Sequence, residues 1–193
     1  MPGRTEQHAV TSFLDPLRKA VSVLAGHNQI TVSRRGTYRK GLLYAWELNS
    51  GAGTSWADVG TFTASMNFEI VDTDPARHDT GEGPFRVTTR GYWYTFRDPN
   101  GTHLWRMHWH PEGNSSVTGP HLHRPPDLKR HWSTPRLSFE TAIEWCVTSG
   151  APTSCDSVEM ADRLIETESA YKLYGSWQQT SDPGYPYSTK PSR

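Results

Sequence analysis

Cysteine is nearly absent from this chain. Its 193 residues include two, Cys146 and Cys155. That excludes a disulfide-stapled secreted framework and a cysteine-only metal knuckle. Charge of one sign is not in excess either, since 20 Lys and Arg balance 20 Asp and Glu. Such a chain does not hold nucleic acid by bulk electrostatics, although a local basic patch still can. Apolar residues are sparse at 34%, with a mean hydropathy of −0.71. No apolar run is long enough to span a bilayer, and the opening MPGRTEQHAV has no apolar core of a signal peptide. These absences together read as a cytoplasmic protein of prokaryotic character. No P-loop, dinucleotide glycine motif or serine elbow is present.

What the chain does have is aromatic bulk and histidine. Eight Trp, eight Tyr and six Phe supply large burial per residue, so a thin core is within reach. Six of the nine histidines lie in one stretch: His103, His108, His110, His121, His123 and His131. Two pairs have the form His-x-His, at His108/His110 and His121/His123, and a Gly/Ser/Asn-rich loop joins them. Imidazole titrates near neutral pH and is the commonest metal ligand. The pattern therefore indicates a composed site without choosing its chemistry.

The length suits one domain with appendages. Residues 1–10 read as a disordered N-terminus, 11–174 as a single domain and 175–193 as a flexible tail rich in Pro, Ser and Gly. Leu14, Leu17, Val21 and Leu24 predict a short first helix, with Asp15-Pro16 near its start and Gly26 at its end. Phe62, Ala64, Met66, Phe68 and Ile70 alternate with polar residues, the mark of a half-buried strand. Two further strands flank the turn Asp98-Pro99-Asn100-Gly101. Pairing Arg97 with Thr102 places Phe96 opposite His103, Tyr94 opposite Trp105 and Tyr92 opposite Met107, with Gly91 opposite His108. One face is then aromatic and belongs in the core; the other carries Trp93, Arg106, His108 and His110.

Ser138 caps a helix whose stripe is Phe139, Ala142, Ile143, Cys146 and Val147, so Cys146 reads as core. A last helix is expected to turn Val158, Ala161, Leu164 and Ile165 inward. The pairs Glu140/Glu144 and Glu166/Glu168 read as solvent faces. The expected architecture is α+β: an antiparallel sheet of four to five strands, helices on one face and the histidines on the other.

Part of the chain, roughly residues 88–150, resembles a known family. The Asp98–Gly101 turn, Arg106-x-x-x-x-Pro111, Pro120-His121-x-His123 and the Ser138-Phe139-Glu140 helix start resemble the TumE-type toxins of bacterial toxin–antitoxin pairs. His108-Trp109-His110-Pro111 with Pro120-His121-Leu122-His123 is closer still to small actinobacterial proteins carrying the same two motifs. His108 stands where the TumE-type pattern has Asp. The resemblance implies a toxin–antitoxin or defence-associated effector, with RNA and a small antitoxin protein as partners.

Three readings follow. In the first, the site cleaves RNA without a metal: His108 with His121 or His123 as base and acid, and Arg106 as the phosphate clamp. His110, Trp93, Trp109, Lys129 and Arg130 then bind substrate, by cationic contact or stacking. In the second, His108, His110, His121 and His123 hold a divalent transition metal, a role neutral imidazole suits. In the third, the chain is a non-catalytic interaction module and the histidines form a packed polar network. His103 reads as structural, and His131 is assigned no role.

Overall fold

The computed structural model describes residues 2–33, 36–73, 83–111 and 116–173. Within them, an antiparallel sheet of eight strands carries three helices on one side. The class is α+β as expected, but the sheet is larger than four or five strands. The additions are short or polar pieces: β1 (Ile30–Val32), β3 (Thr54–Trp56), β7 (His121–Arg124) and β8 (Asp127–Ser133). None is long enough or apolar enough to show a clear period of two.

The long central strands are β4 (Gly60–Asp72) and β5 (Phe85–Arg97), flanked by β2 (Leu43–Leu48) and β6 (His103–Trp109). The spatial order is β1-β2-β4-β5-β6-β7-β8, and β3 pairs with the beginning of β4. Burial along β4 alternates without a fault from Gly60 to Ile70, as its sequence demands. Phe62, Met66, Phe68 and Ile70 turn to the helical side and are essentially inaccessible. At the start of β4, Gly60 has φ +135°, and a Cβ there would sit 1.9 Å from the Arg97 carbonyl oxygen. Gly60→Ala is therefore expected to cost about 2–3 kcal/mol, from backbone strain together with parting of the β4–β5 pair. A drop in the urea midpoint checks this; an unchanged midpoint contradicts it.

The helices close the core. Helix α1 (Glu6–Val21) begins inside the segment expected to be disordered: Gly3 bridges to Phe85, and the Thr5 hydroxyl caps the helix by accepting from the His8 N–H. The apolar stripe runs back past Leu14 to Phe13, Val10 and Ala9, all buried, so Pro16 lies within the helix rather than at its first turn. Helix α2 (Phe139–Thr148) is capped by Ser138 and buries Phe139, Ala142, Ile143 and Cys146 as expected, while Val147 at the end of that stripe is only half-buried. Glu140 is buried too, at 2% exposure, unlike its expected solvent-facing role.

Helix α3 (Ser157–Leu173) departs further. Val158 and Ile165 are 70% and 64% exposed, and Ala161 is exposed as well. Leu164 faces inward as expected, but its companions there are Thr167 and Tyr171. The anchor is Tyr171: its ring meets Phe13 edge-on at 5.7 Å and its hydroxyl donates to the Phe13 carbonyl. That contact sets the rotation of the helix, overriding the smaller aliphatic side chains. None of the described helices is long and apolar enough to cross a membrane. The expected tail, 175–193, lies outside the described residues.

Candidate metal centre

The β5–β6 hairpin fixes the first half of the site. Asp98 organises the turn, accepting through its carboxylate from the Asn100 and Thr102 N–H groups. The expected face assignment holds: Tyr92, Tyr94, Phe96, Trp105, Met107 and Trp109 are buried on the helical side. The register differs. A bulge between Phe96 and Arg97 pairs Arg97 with His103, Tyr94 with Met107 and Tyr92 with Trp109. Trp93, not Gly91, therefore lies opposite His108. A bulge inserts one residue and moves partners along the strand; here the faces survive and the pairs change.

Strand β7 fixes the second half. It pairs with β6, His123 opposite Arg106 and His121 opposite His108. Directly paired residues of antiparallel strands project to the same side. Arg106, His108, His121 and His123 accordingly share the face away from the helices, with His110 beside them. Ring centroids of His108 lie 6.0, 5.6 and 5.3 Å from those of His110, His121 and His123. His110 stands 5.2 Å from His121 and stacks on Trp93 at 6.3 Å, the planes 8° apart.

A fifth ring, His131, to which the sequence assigns no role, joins them. Strand β8 turns back along β7 and brings His131 to 4.8 Å from His121 and 4.6 Å from His123. His121 and His123 are themselves 5.0 Å apart, so these three rings form the tightest set. A readable signal existed: after Pro125-Pro126-Asp127, Lys129, His131 and Ser133 alternate with Leu128, Arg130 and Trp132. Two sets of three histidines each keep one ring nitrogen within 4.8 Å of the others': His108/His110/His121 and His121/His123/His131. His121 belongs to both.

Second contacts orient the two deepest rings. His121 and His123 are 1% and 5% exposed. The Nδ1 of His121 lies 2.9 Å from the Gly119 carbonyl oxygen, and that of His123 lies 3.0 Å from the Leu128 carbonyl oxygen. A carbonyl only accepts, so each Nδ1 carries the proton and donates. Each Nε2 is then the lone-pair nitrogen. That of His121 is buried with no hydrogen-bond partner among the described residues.

Electrostatics keep the rings neutral. Burial, then the neighbouring His123, His121 and Arg106, hold His108 down to about 3. Burial and Arg106 hold His123 at about 4, and burial also lowers His121, against the opposing effect of the Gly119 hydrogen bond. Unfolded imidazoles take up protons near pH 6.5, whereas these two do so only near 3 and 4. Between those limits the unfolded chain binds more protons, so stability falls as the pH drops from 7 to 5. For the metal-free chain, the loss should approach about 2 kcal/mol for each of His108 and His123, and about half that where water reaches them. Urea midpoints at pH 7 and 5 measure it. An unchanged midpoint, or one that rises toward pH 5, would refute the neutral-ring assignment.

The other expected site residues divide. Arg106 lies on the histidine face and donates through Nη2 to the Leu128 carbonyl, 2.9 Å away. Lys129 is exposed, two residues before His131 on β8. Trp109 is not beside the histidines: it is 4% exposed in the core, with the Arg136 guanidinium 3.6 Å from its ring centre. Arg130 stacks on Trp132 at 3.9 Å. Trp132 pairs with the buried Leu122, so that stack is on the helical side. His103 is half-buried near the hairpin turn, outside both histidine sets.

Chemically, five imidazoles meet with no carboxylate in either histidine set among the described residues. Two of them, His121 and His123, carry fixed Nδ1–H donors, and imidazole with its other nitrogen turned outward from such a bond suits a transition metal. Comparison with family models, with curated proteins and with solved structures finds no match for this chain.

Proposed function

We propose that this protein binds one divalent transition-metal ion through His121, His123 and His131, with His108 and His110 beside them on the same face. The observation that carries this reading is the pair of Nδ1–carbonyl hydrogen bonds on His121 and His123. They do what outer contacts do in metal sites, fixing tautomer and ring orientation. Zinc and its neighbours suit a site of nitrogen donors alone. One ion per chain follows from His121: its Nδ1 is committed, so its single free nitrogen serves one ion at a time, although it belongs to both sets. Tetrahedral Zn–N bonds of about 2.1 Å separate ligand nitrogens by roughly 3.4 Å. Nitrogens within 4.8 Å of one another reach that spacing by modest ring rotations.

RNA cleavage by His108 and His121, with Arg106 as clamp, is a second reading. It is favoured by the TumE-type resemblance and by rings 5.6 Å apart, near enough to serve one phosphate. It needs one ring protonated at neutral pH, however, and burial opposes that at both. The metal reading therefore takes precedence.

The test is titration of tag-free, chelator-stripped protein with zinc against a competing indicator. One equivalent bound in the micromolar range or tighter is expected. If no zinc is retained, and the metal-free protein cleaves RNA in the presence of chelator, the second reading replaces the first.

A further inference from the structure

We infer that the metal centre takes an oxyanion, a carboxylate or phosphate oxygen, held between the ion and Arg106. This deepens the metal reading above and rests on it. Three imidazoles around an ion of tetrahedral preference leave a position for an exogenous ligand. The charge balance defines what that ligand is. Neutral imidazoles bring no negative charge, the ion brings two positive charges and Arg106 brings a third. The two histidine sets include no Asp or Glu, and Arg106 forms no ion pair among the described residues. Positive charge drawn partly out of water without a counter-charge is costly, and an anion relieves it.

Arg106 is placed for this role. It pairs with His123 across β6–β7, and its Nη2 donates to the same Leu128 carbonyl that accepts from His123. The guanidinium is thereby tied to the backbone that orients a ligand ring. Its Nε is buried with no hydrogen-bond partner among the described residues. A guanidinium has five donors, and one is accounted for. The planar fork of those that remain matches a carboxylate or phosphate edge. Exposed Lys129 adds a second cation two residues from His131.

The experiment uses the full chain loaded with Co(II), whose visible absorption reports its coordination. Phosphate and, separately, acetate are titrated into the loaded wild type, Arg106→Met and Arg106→Lys. The expected result is a saturable spectral change at one anion per ion, with Arg106→Met about tenfold weaker or more and Arg106→Lys between the two. Comparing the acetate and phosphate arms shows which oxyanion the site prefers. A loaded wild type whose spectrum ignores both anions overturns the inference and leaves the metal reading standing. Equal affinity in all three proteins also overturns it, by removing Arg106. If Arg106→Met cannot be loaded, Arg106→Lys decides by the same criterion. If the wild type binds no Co(II), the metal reading fails and the inference fails with it.

Discussion

Replacing His121 with alanine is expected to lower zinc affinity by three orders of magnitude or more, about 4 kcal/mol. No other single ring should matter as much. His121 is the member common to both histidine sets, so neither set can compensate for its loss. Its Nε2 is already buried and unpartnered among the described residues, and its Nδ1 is already fixed on Gly119. Little ordering is left for the ion to supply. His131→Ala should cost less, about tenfold to a hundredfold, because that ring is exposed and His108 or His110 can take its place. Competitive zinc titration of the two variants checks the ranking. Equal losses, or a larger loss for His131→Ala, would move the centre of the site away from His121. The His121→Ala protein should still fold in the metal-free state, since it removes a group that burial keeps from charging. A chain that cannot fold without His121 would mark the cluster as structural.

The second large effect is expected in the core. Phe139→Ala should destabilise the protein by about 3–5 kcal/mol. Phe139 is inaccessible to solvent and is the first residue of α2. Its ring meets Trp46 at 5.1 Å, Phe62 at 6.2 Å and Tyr94 at 5.7 Å. It thus ties α2 to β2, β4 and β5 at once. Three large, stiff neighbours cannot collapse into the space, so the cavity persists and adds to the lost burial. Denaturant unfolding with a matched slope measures the effect. A loss below about 1 kcal/mol would mean that α2 is not anchored through this ring.

How far the sequence could be read depends on the element. The faces of β4 and β6 were legible because burial on one side enforces a period of two, and a strand that slips by one residue exposes its whole core set. Helix α2 was legible for the same reason at helical spacing, with Ser138 marking its start. The β5–β6 register was not: the bulge at Phe96/Arg97 preserves faces while shifting partners, and it has no composition of its own. The rotation of α3 was hidden because it depends on Tyr171 reaching Phe13, residues 158 positions apart.

The same division holds at the site. His108 and His110 could be placed together from alternation, and proximity of His121 and His123 was a reasonable expectation from the repeated His-x-His form. The loss of Trp109 and Arg130 from the face follows from alternation as well, since each neighbours a histidine in sequence and so points the other way. His131 escaped because β8 is exposed along most of its length. With little burial on either face, the alternation of Lys129, His131 and Ser133 with Leu128, Arg130 and Trp132 is a weak signal, and the pairing with β7 is what reveals its meaning. Helix α1 began earlier than expected because Thr5 is a cap with few apolar residues just after it, and the capping contact outweighs the breaker signal of Pro16.

Imidazole nitrogens of this face are proposed to hold one metal ion. X-ray absorption at the zinc edge, on tag-free protein loaded with one equivalent, tests it most directly. The expected spectrum has a first shell of nitrogen and oxygen at about 2.0–2.1 Å, no sulfur, and the outer-shell scattering of at least three imidazole rings. That outer-shell signal should shrink in the His121→Ala protein. Protein that retains no zinc after desalting, or a shell without imidazole scattering, would mean that these rings hold no metal.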